Sequence, residues 1–155
     1  MQVRFYTGVP DKQDNPRWNQ FWARKLAVMG RAGVKVFSRS LRYRNDSITL
    51  PDGSVHTFLR GSEKGIDVRI SIDVISLAIS NAYDVAVIFS QDQDLSEAAS
   101  EIRVISRLRG RWIHIACAYP LSPTTKNKRG IDRTDWITID RAQYDTCLDQ
   151  TDYRS

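Results

Sequence analysis

Residues 85–89 read Val-Ala-Val-Ile-Phe, five apolar side chains in a row, three of them β-branched. A strand with one wet face alternates polar and apolar residues. An unbroken apolar run calls for cover on both faces, as inside a parallel sheet. The run falls far short of the roughly 18 apolar residues of a membrane span. It points to a sheet sandwiched between helices.

The flanking segments support that arrangement. "VRFYTG" (3–8) reads as a strand, and "NPRWNQFWARKLAVMGRAG" as a helix with Pro16 near its start and Gly30 or Gly33 near its end. Residues 34–44, "VKVFSRSLRYR", read as a second strand, and "SITLPDGSVHTFLR" (47–60) as a hairpin around Pro-Asp-Gly. There follow a helix over 65–80, the strand "DVAVIFS" (84–90), a helix over 95–108, the strand "WIHIACAY" (112–119), the short strand "WITID" (136–140) and a short last helix. This order predicts an α/β fold with a mostly parallel sheet of four or five strands, helices on both faces and "VAVIF" among the buried strands. No repeat, low-complexity tract or linker interrupts it, so residues 1–155 are expected to form a single domain.

With 41% of its 155 residues apolar or aromatic, the chain can build a real core. Its start, "MQVRFYTGVP", lacks the charged and apolar regions of a signal peptide, and a soluble, cytoplasmic protein away from membranes is expected. Cys117 and Cys147 have no metal-ligand spacing and read as reduced thiols. The formal net charge of +5 favours a polyanionic partner, since clustered Lys and Arg attract phosphates whatever the base sequence.

On the helix over 65–80, Arg69, Asp73, Ser76 and Ser80 fall on one narrow stripe and aliphatic residues fill nearly all the rest. Asp73 is thus expected at the surface, paired with Arg69 one turn earlier. Asp67 projects instead near the middle of the apolar face, in the first turn. A carboxylate there needs a cap, a partner or a metal ion. "SQDQD" (90–94) follows the apolar strand, at the edge where open parallel sheets bind ligands. A helix cap accounts for one of its aspartates. Two carboxylates in three residues, with Asp67 arriving at the same edge, suit Mg²⁺ or Mn²⁺, which keep waters and bind phosphate oxygens as well.

Three segments carry a family resemblance: "EKGIDVRISIDVI" (63–75), "YDVAVIFSQDQDLSEAA" (83–99) and "TDWITID" (134–140). In order and spacing they resemble the landmarks of NYN-domain proteins of the LabA-like group, within the PIN-like nucleases. The resemblance implies a Rossmann-like, three-layer α/β/α PIN-like fold and a metal-dependent ribonuclease that gathers acidic residues around Mg²⁺ or Mn²⁺. The implied catalytic and metal-binding residues are Asp67, Asp92 and Asp94, with Asp135 a fourth metal ligand. The chain departs from the family pattern in having Gln91 where a Gly is usual, and in lacking the family's first strand with its Ile-Asp-Gly-x-Asn, so it resembles an N-terminally shortened form. Loss of that strand implies weakened cleavage and an exposed strand edge, open to a homodimer or a strand-donating partner.

RNA is the expected partner. Lys64, Lys126, Lys128 and Arg129 are the candidate phosphate contacts, with Arg103, Arg107, Arg109 and Arg111 nearby in sequence. Trp18, Phe21 and Trp22 can stack bases or pack in the core, and core packing is the reading preferred. His56 and His114 receive no catalytic role. Two alternatives remain open: a catalytically inactive RNA-binding or protein-interaction module of the same fold, and a phosphatase-like hydrolase with an aspartyl nucleophile in its Asp-x-Asp.

Overall fold

A computed structural model describes residues 1–154. Contacts divide the chain into two compact units, Met1–Ile66 with the segment from Thr151, and Asp67–Gln150.

In the first unit, β1 (Arg4–Val9), α1 (Pro16–Arg31) and β2 (Lys35–Ser40) form a βαβ motif, with β1 and β2 parallel and in register from Arg4↔Lys35 to Val9↔Ser40. Asn15 starts the helix: its Oδ1 accepts the Trp18 N–H at 3.2 Å, and Pro16 follows in the first turn. Trp22 stacks on Phe5 of β1 with ring centroids 6.1 Å apart, half-buried rather than in the core expected of the aromatic residues on this helix. The segment read as one strand over 34–44 is two. The Leu41 N–H closes the β1 ladder on Val9 O at 2.9 Å, and from Arg42 the backbone turns to a different partner. β3 (Arg42–Thr49) and β4 (Val55–Ser62) then pair antiparallel, a longer hairpin than the "PDG" arms alone suggested.

The second unit contains α2 (Ile66–Ile79), β5 (Val85–Phe89), α3 (Ser96–Leu108), β6 (His114–Pro120), β7 (Asp135–Ile139) and α4 (Arg141–Thr146), with α2 starting one residue before the division. Its sheet has the order β5-β6-β7, all parallel. Ile88, Ile115, Cys117 and Tyr119 share one face and pack with Ala78 of α2 and Ala99, Ile102 and Ile105 of α3. Five consecutive residues of β6, Ile115–Tyr119, are buried.

β5 overturns an expectation. It pairs only with β6 and lies at the edge of its sheet, and Val85, Val87 and Phe89 are 47%, 45% and 76% exposed on the face away from α2 and α3. Ile88 is buried as expected, whereas on the opposite face burial reaches Ala116 and Ala118 of β6 but not the three β5 side chains.

α2 also turns differently from its wheel. Asp73 does pair with Arg69, Oδ1 to Nη2 at 2.9 Å, yet it is buried at 7% exposure, while Val68 and Ile72 are 62% and 51% exposed. A helix with aliphatic residues almost all round has no single stripe to direct it. Its orientation follows the shape of what it packs on.

The α/β expectation is thus met, and the single three-layer arrangement is not what the strand pairings give. The fold is mixed α/β; a parallel pair, an antiparallel hairpin and a parallel three-stranded sheet stand where one mostly parallel sheet was expected. Among the described residues no helix is long and apolar enough to cross a membrane.

Candidate active site at the carboxyl edge of the sheet

The residues after β5 form a tight acidic turn. Ser90 Oγ accepts the Asp92 N–H at 3.1 Å, and Asp92 Oδ1 accepts the Asp94 N–H at 3.0 Å, capping a single 3₁₀ turn over Gln93–Leu95. Leu95, fully buried, pins the turn to the core just ahead of α3. Asp92 and Asp94 are both exposed. The capping role allowed for one aspartate belongs to Asp92, and it occupies one of the two carboxylate oxygens.

The glutamines that alternate with these aspartates reach a different target. Gln91 Nε2 donates to Asn127 O at 3.1 Å and to Arg129 O at 3.0 Å. Gln93 Nε2 donates to Gly130 O at 2.8 Å, and its Oε1 accepts the Asp132 N–H at 3.2 Å. The loop between β6 and β7 is fixed from below as well. Tyr119 OH donates to Lys128 O at 3.1 Å, the Ile131 N–H is 3.2 Å from Cys117 Sγ, and Trp136 Nε1 donates to Ile131 O at 2.8 Å. Ile131 is fully buried. A Cβ on Gly130 would stand 2.5 Å from Cys117 Sγ and 2.7 Å from the Trp136 ring, so only glycine lets the loop approach this closely.

Asp67 opens α2, exposed in the first turn although Val74 and Ala78, at nearly the same azimuth, pack in the core. At the other end of α2, Arg109 Nη1 donates to Ile79 O at 2.6 Å, and Arg111 Nη2 lies 2.5 Å from Tyr83 O and from Asp84 Oδ1. The ends of α2 and α3 and the start of β5 therefore meet. Among the described residues no three His, Cys, Asp or Glu side chains stand together closely enough to hold a metal ion.

Asp135 is not brought to this edge. It begins β7 level with Ala116 and Val87, on the sheet face away from α2 and α3, with Oδ2 2.8 Å from His114 Nε2. Two strand spacings, about 10 Å, separate β7 from β5. Lys126 and Lys128 are exposed on the fixed loop, whereas Arg129 is engaged, its Nε and Nη2 3.0 and 2.6 Å from the carboxylate of Asp132. Arg109 is committed to a backbone carbonyl at the amino edge, and Arg111 to a carbonyl and to the side chains of Asn81 and Asp84. Lys64 is exposed in the first unit, between β4 and α2. Trp18 is 49% exposed beside Phe21.

Gln91 and Gln93 are the residues whose part sequence reasoning missed. Their grip on a segment more than thirty-five positions later is a tertiary contact that no local pattern signalled.

The model of the NYN domain family matches residues 2–126. The chain belongs to the NYN domain family. NYN domains are PIN-like α/β proteins, generally ribonucleases that work with divalent metal ions. In this NYN domain the matched span includes Lys64, Asp67, Asp92, Asp94 and Lys126 and stops short of Lys128, Arg129 and Asp135. No curated protein matches the chain. Among solved structures the NYN domain is similar to ribokinase from Giardia lamblia, at 13% identity and a TM-score of 0.44, over 87% of this chain and 41% of the ribokinase.

The donor set at the edge suits a hard divalent ion of the kind the family uses. Mg²⁺ keeps several waters and needs one or two carboxylates rather than a closed cage. Asp92 and Asp94 provide exposed carboxylates on one turn, with the second Asp92 oxygen outside the cap.

Proposed function

We propose that this NYN domain, as a LabA-like member of its family, hydrolyses RNA phosphodiester bonds with Mg²⁺ or Mn²⁺ at Asp92 and Asp94, with Asp67 on the same edge. The family match over residues 2–126 carries this reading, and the exposed acidic turn at the carboxyl edge supports it. Asp92 and Asp94 would hold the ion, which when bound polarises a phosphoryl oxygen and lowers the pKa of a water. The carboxylate of Asp67 would orient the attacking water. The water's oxygen bonds to phosphorus, the bond from phosphorus to the leaving nucleotide's oxygen breaks, and the departing oxygen ends with the proton the water gives up. Lys126 and Lys128 bind neighbouring phosphates and confer no base preference. The open edge of β5 is the place where a second copy or a strand-donating partner would add.

A catalytically inactive RNA-binding module is the second reading. It is favoured by the absence, among the described residues, of three metal-ligating side chains already gathered. A cleavage assay on labelled single-stranded RNA separates the two. Product should form with Mn²⁺ or Mg²⁺ and not in chelator, and Asp92→Asn should lower the rate at least about a hundredfold, as for loss of a group that positions the nucleophile. RNA that stays intact with either metal, or is cut equally well by Asp92→Asn, decides for the binding module.

A further inference from the structure

Gln91 and Gln93 are unusual in what they bind. Glutamines beside an acidic turn would ordinarily be solvated or contact charged groups. Here both side-chain amides are directed at main-chain atoms of a loop some 36 to 39 positions later in the sequence. Gln91 grips two carbonyls two residues apart, those of Asn127 and Arg129, while the intervening carbonyl of Lys128 accepts from Tyr119 OH. The Gln91 amide thus holds the main chain of the loop at two points. Gln93 adds two more bonds, accepting the Asp132 N–H and donating to the Gly130 carbonyl.

The bonds tie the cations of one segment to the carboxylates of another. Asp92 and Asp94 lie between and beside the two glutamines in sequence, and Lys126 and Lys128 flank Asn127, whose carbonyl Gln91 holds. Without the glutamines the upper part of the loop, 126–129, keeps one tertiary hydrogen bond among those described above, from Tyr119 OH. Below it the buried Ile131 and the tight seat of Gly130 hold the loop at its base only. A flexible basic loop must be ordered each time it meets a phosphate chain, and that ordering weakens binding.

We infer that Gln91 and Gln93 are positioning residues which hold the 126–129 loop against the acidic turn, so that Lys126 and Lys128 form a preordered track for the phosphates of a single-stranded RNA leading to Asp92 and Asp94. This rests on the proposed RNA substrate but not on turnover, because the track is a binding property. The glutamines act through the loop and need not touch RNA.

The test measures affinity for a fluorescent single-stranded RNA in chelator, across a range of salt, for the full chain, for Gln91→Met with Gln93→Met, for Lys126→Ala with Lys128→Ala, and for all four changes together. Methionine keeps the length of glutamine and removes its donors and acceptor. The methionine pair should weaken binding about tenfold and flatten the salt dependence by up to about 1.4 in log-log slope, the value for two phosphate contacts on a single strand. The fourfold variant should be little weaker than either pair, because both remove the same contacts. Thermal unfolding of each variant accompanies the titrations, and amide exchange at 126–132 should accelerate in the methionine pair. An unchanged affinity and slope in the methionine pair overturns the inference and leaves the nuclease reading standing. Additive losses overturn it too, since the glutamines would then act apart from the loop cations. A parent chain without RNA affinity in chelator also overturns it, while the cleavage assay still judges the nuclease reading separately.

Discussion

Tyr83 stands just before β5, half-buried, and its hydroxyl donates to Val74 O of α2 at 2.9 Å. Burial disfavours the phenolate and raises its pKa from 10 to about 12, against a smaller opposing pull from Arg111. In the unfolded chain the same phenol ionises near its ordinary value. Its contribution to stability is therefore complete below about pH 10 and is lost as the pH climbs toward 12, because the unfolded state gives up the proton first. Chemical denaturation between pH 8 and 11.5 should show this loss in the parent and a flatter profile in Tyr83→Phe, which at neutral pH costs about 1 kcal/mol for the hydrogen bond. Equal profiles would assign the alkaline loss to other groups. At this scale the sequence was informative where local rules suffice. The Arg69–Asp73 pair follows from i,i+4 spacing, and the acidic turn from two aspartates after a strand. The burial of Asp73 and the grip of Gln91 and Gln93 on a distant loop depend on tertiary packing, which no local pattern encodes.

Among the elements, β5 shows most clearly where pattern and environment part. Its composition asks for cover on both faces, and α2 and α3 supply it on one. What remains is an edge of five uncharged residues without lysine, proline or bulge, the features that ordinarily keep edges from pairing. Sedimentation of the parent chain should show mass rising with concentration. Val87→Lys, placed on the exposed face at the middle of the strand, should weaken that association by about tenfold or more through like charge and a blunted edge. A parent that stays monomeric at every concentration would mean that the edge is protected by other means. The order of elements was otherwise readable, down to the hairpin and the last short helix. The break at Leu41 was not, because both halves of 34–44 favour strand equally and only their partners differ.

At the scale of the whole molecule, the buried side chains are unevenly shared. Most of the core lies in the second unit, around β6 and α3, whereas α1 has no fully buried residue and β4 is exposed along nearly all its length. Hydrogen exchange under native conditions should therefore be slowest at the amides of Ile115–Tyr119 and fastest in the β3–β4 hairpin, with protection graded between them. Uniform protection along the chain would show that one cooperative structure, the single domain expected from the sequence, governs opening. The loop between β6 and β7 has a further consequence. It is held through its own peptide groups, by Gln91, Gln93 and Tyr119, and through the seat of Gly130 and Ile131. Peptide groups are the same whatever side chains they carry, so positions 126 and 128 can change identity while the fastening stays as it is. The loop behaves as an interchangeable cassette in a permanent socket, and selection, or a protein engineer, can alter the molecule's taste in ligands there without reopening the question of how it folds.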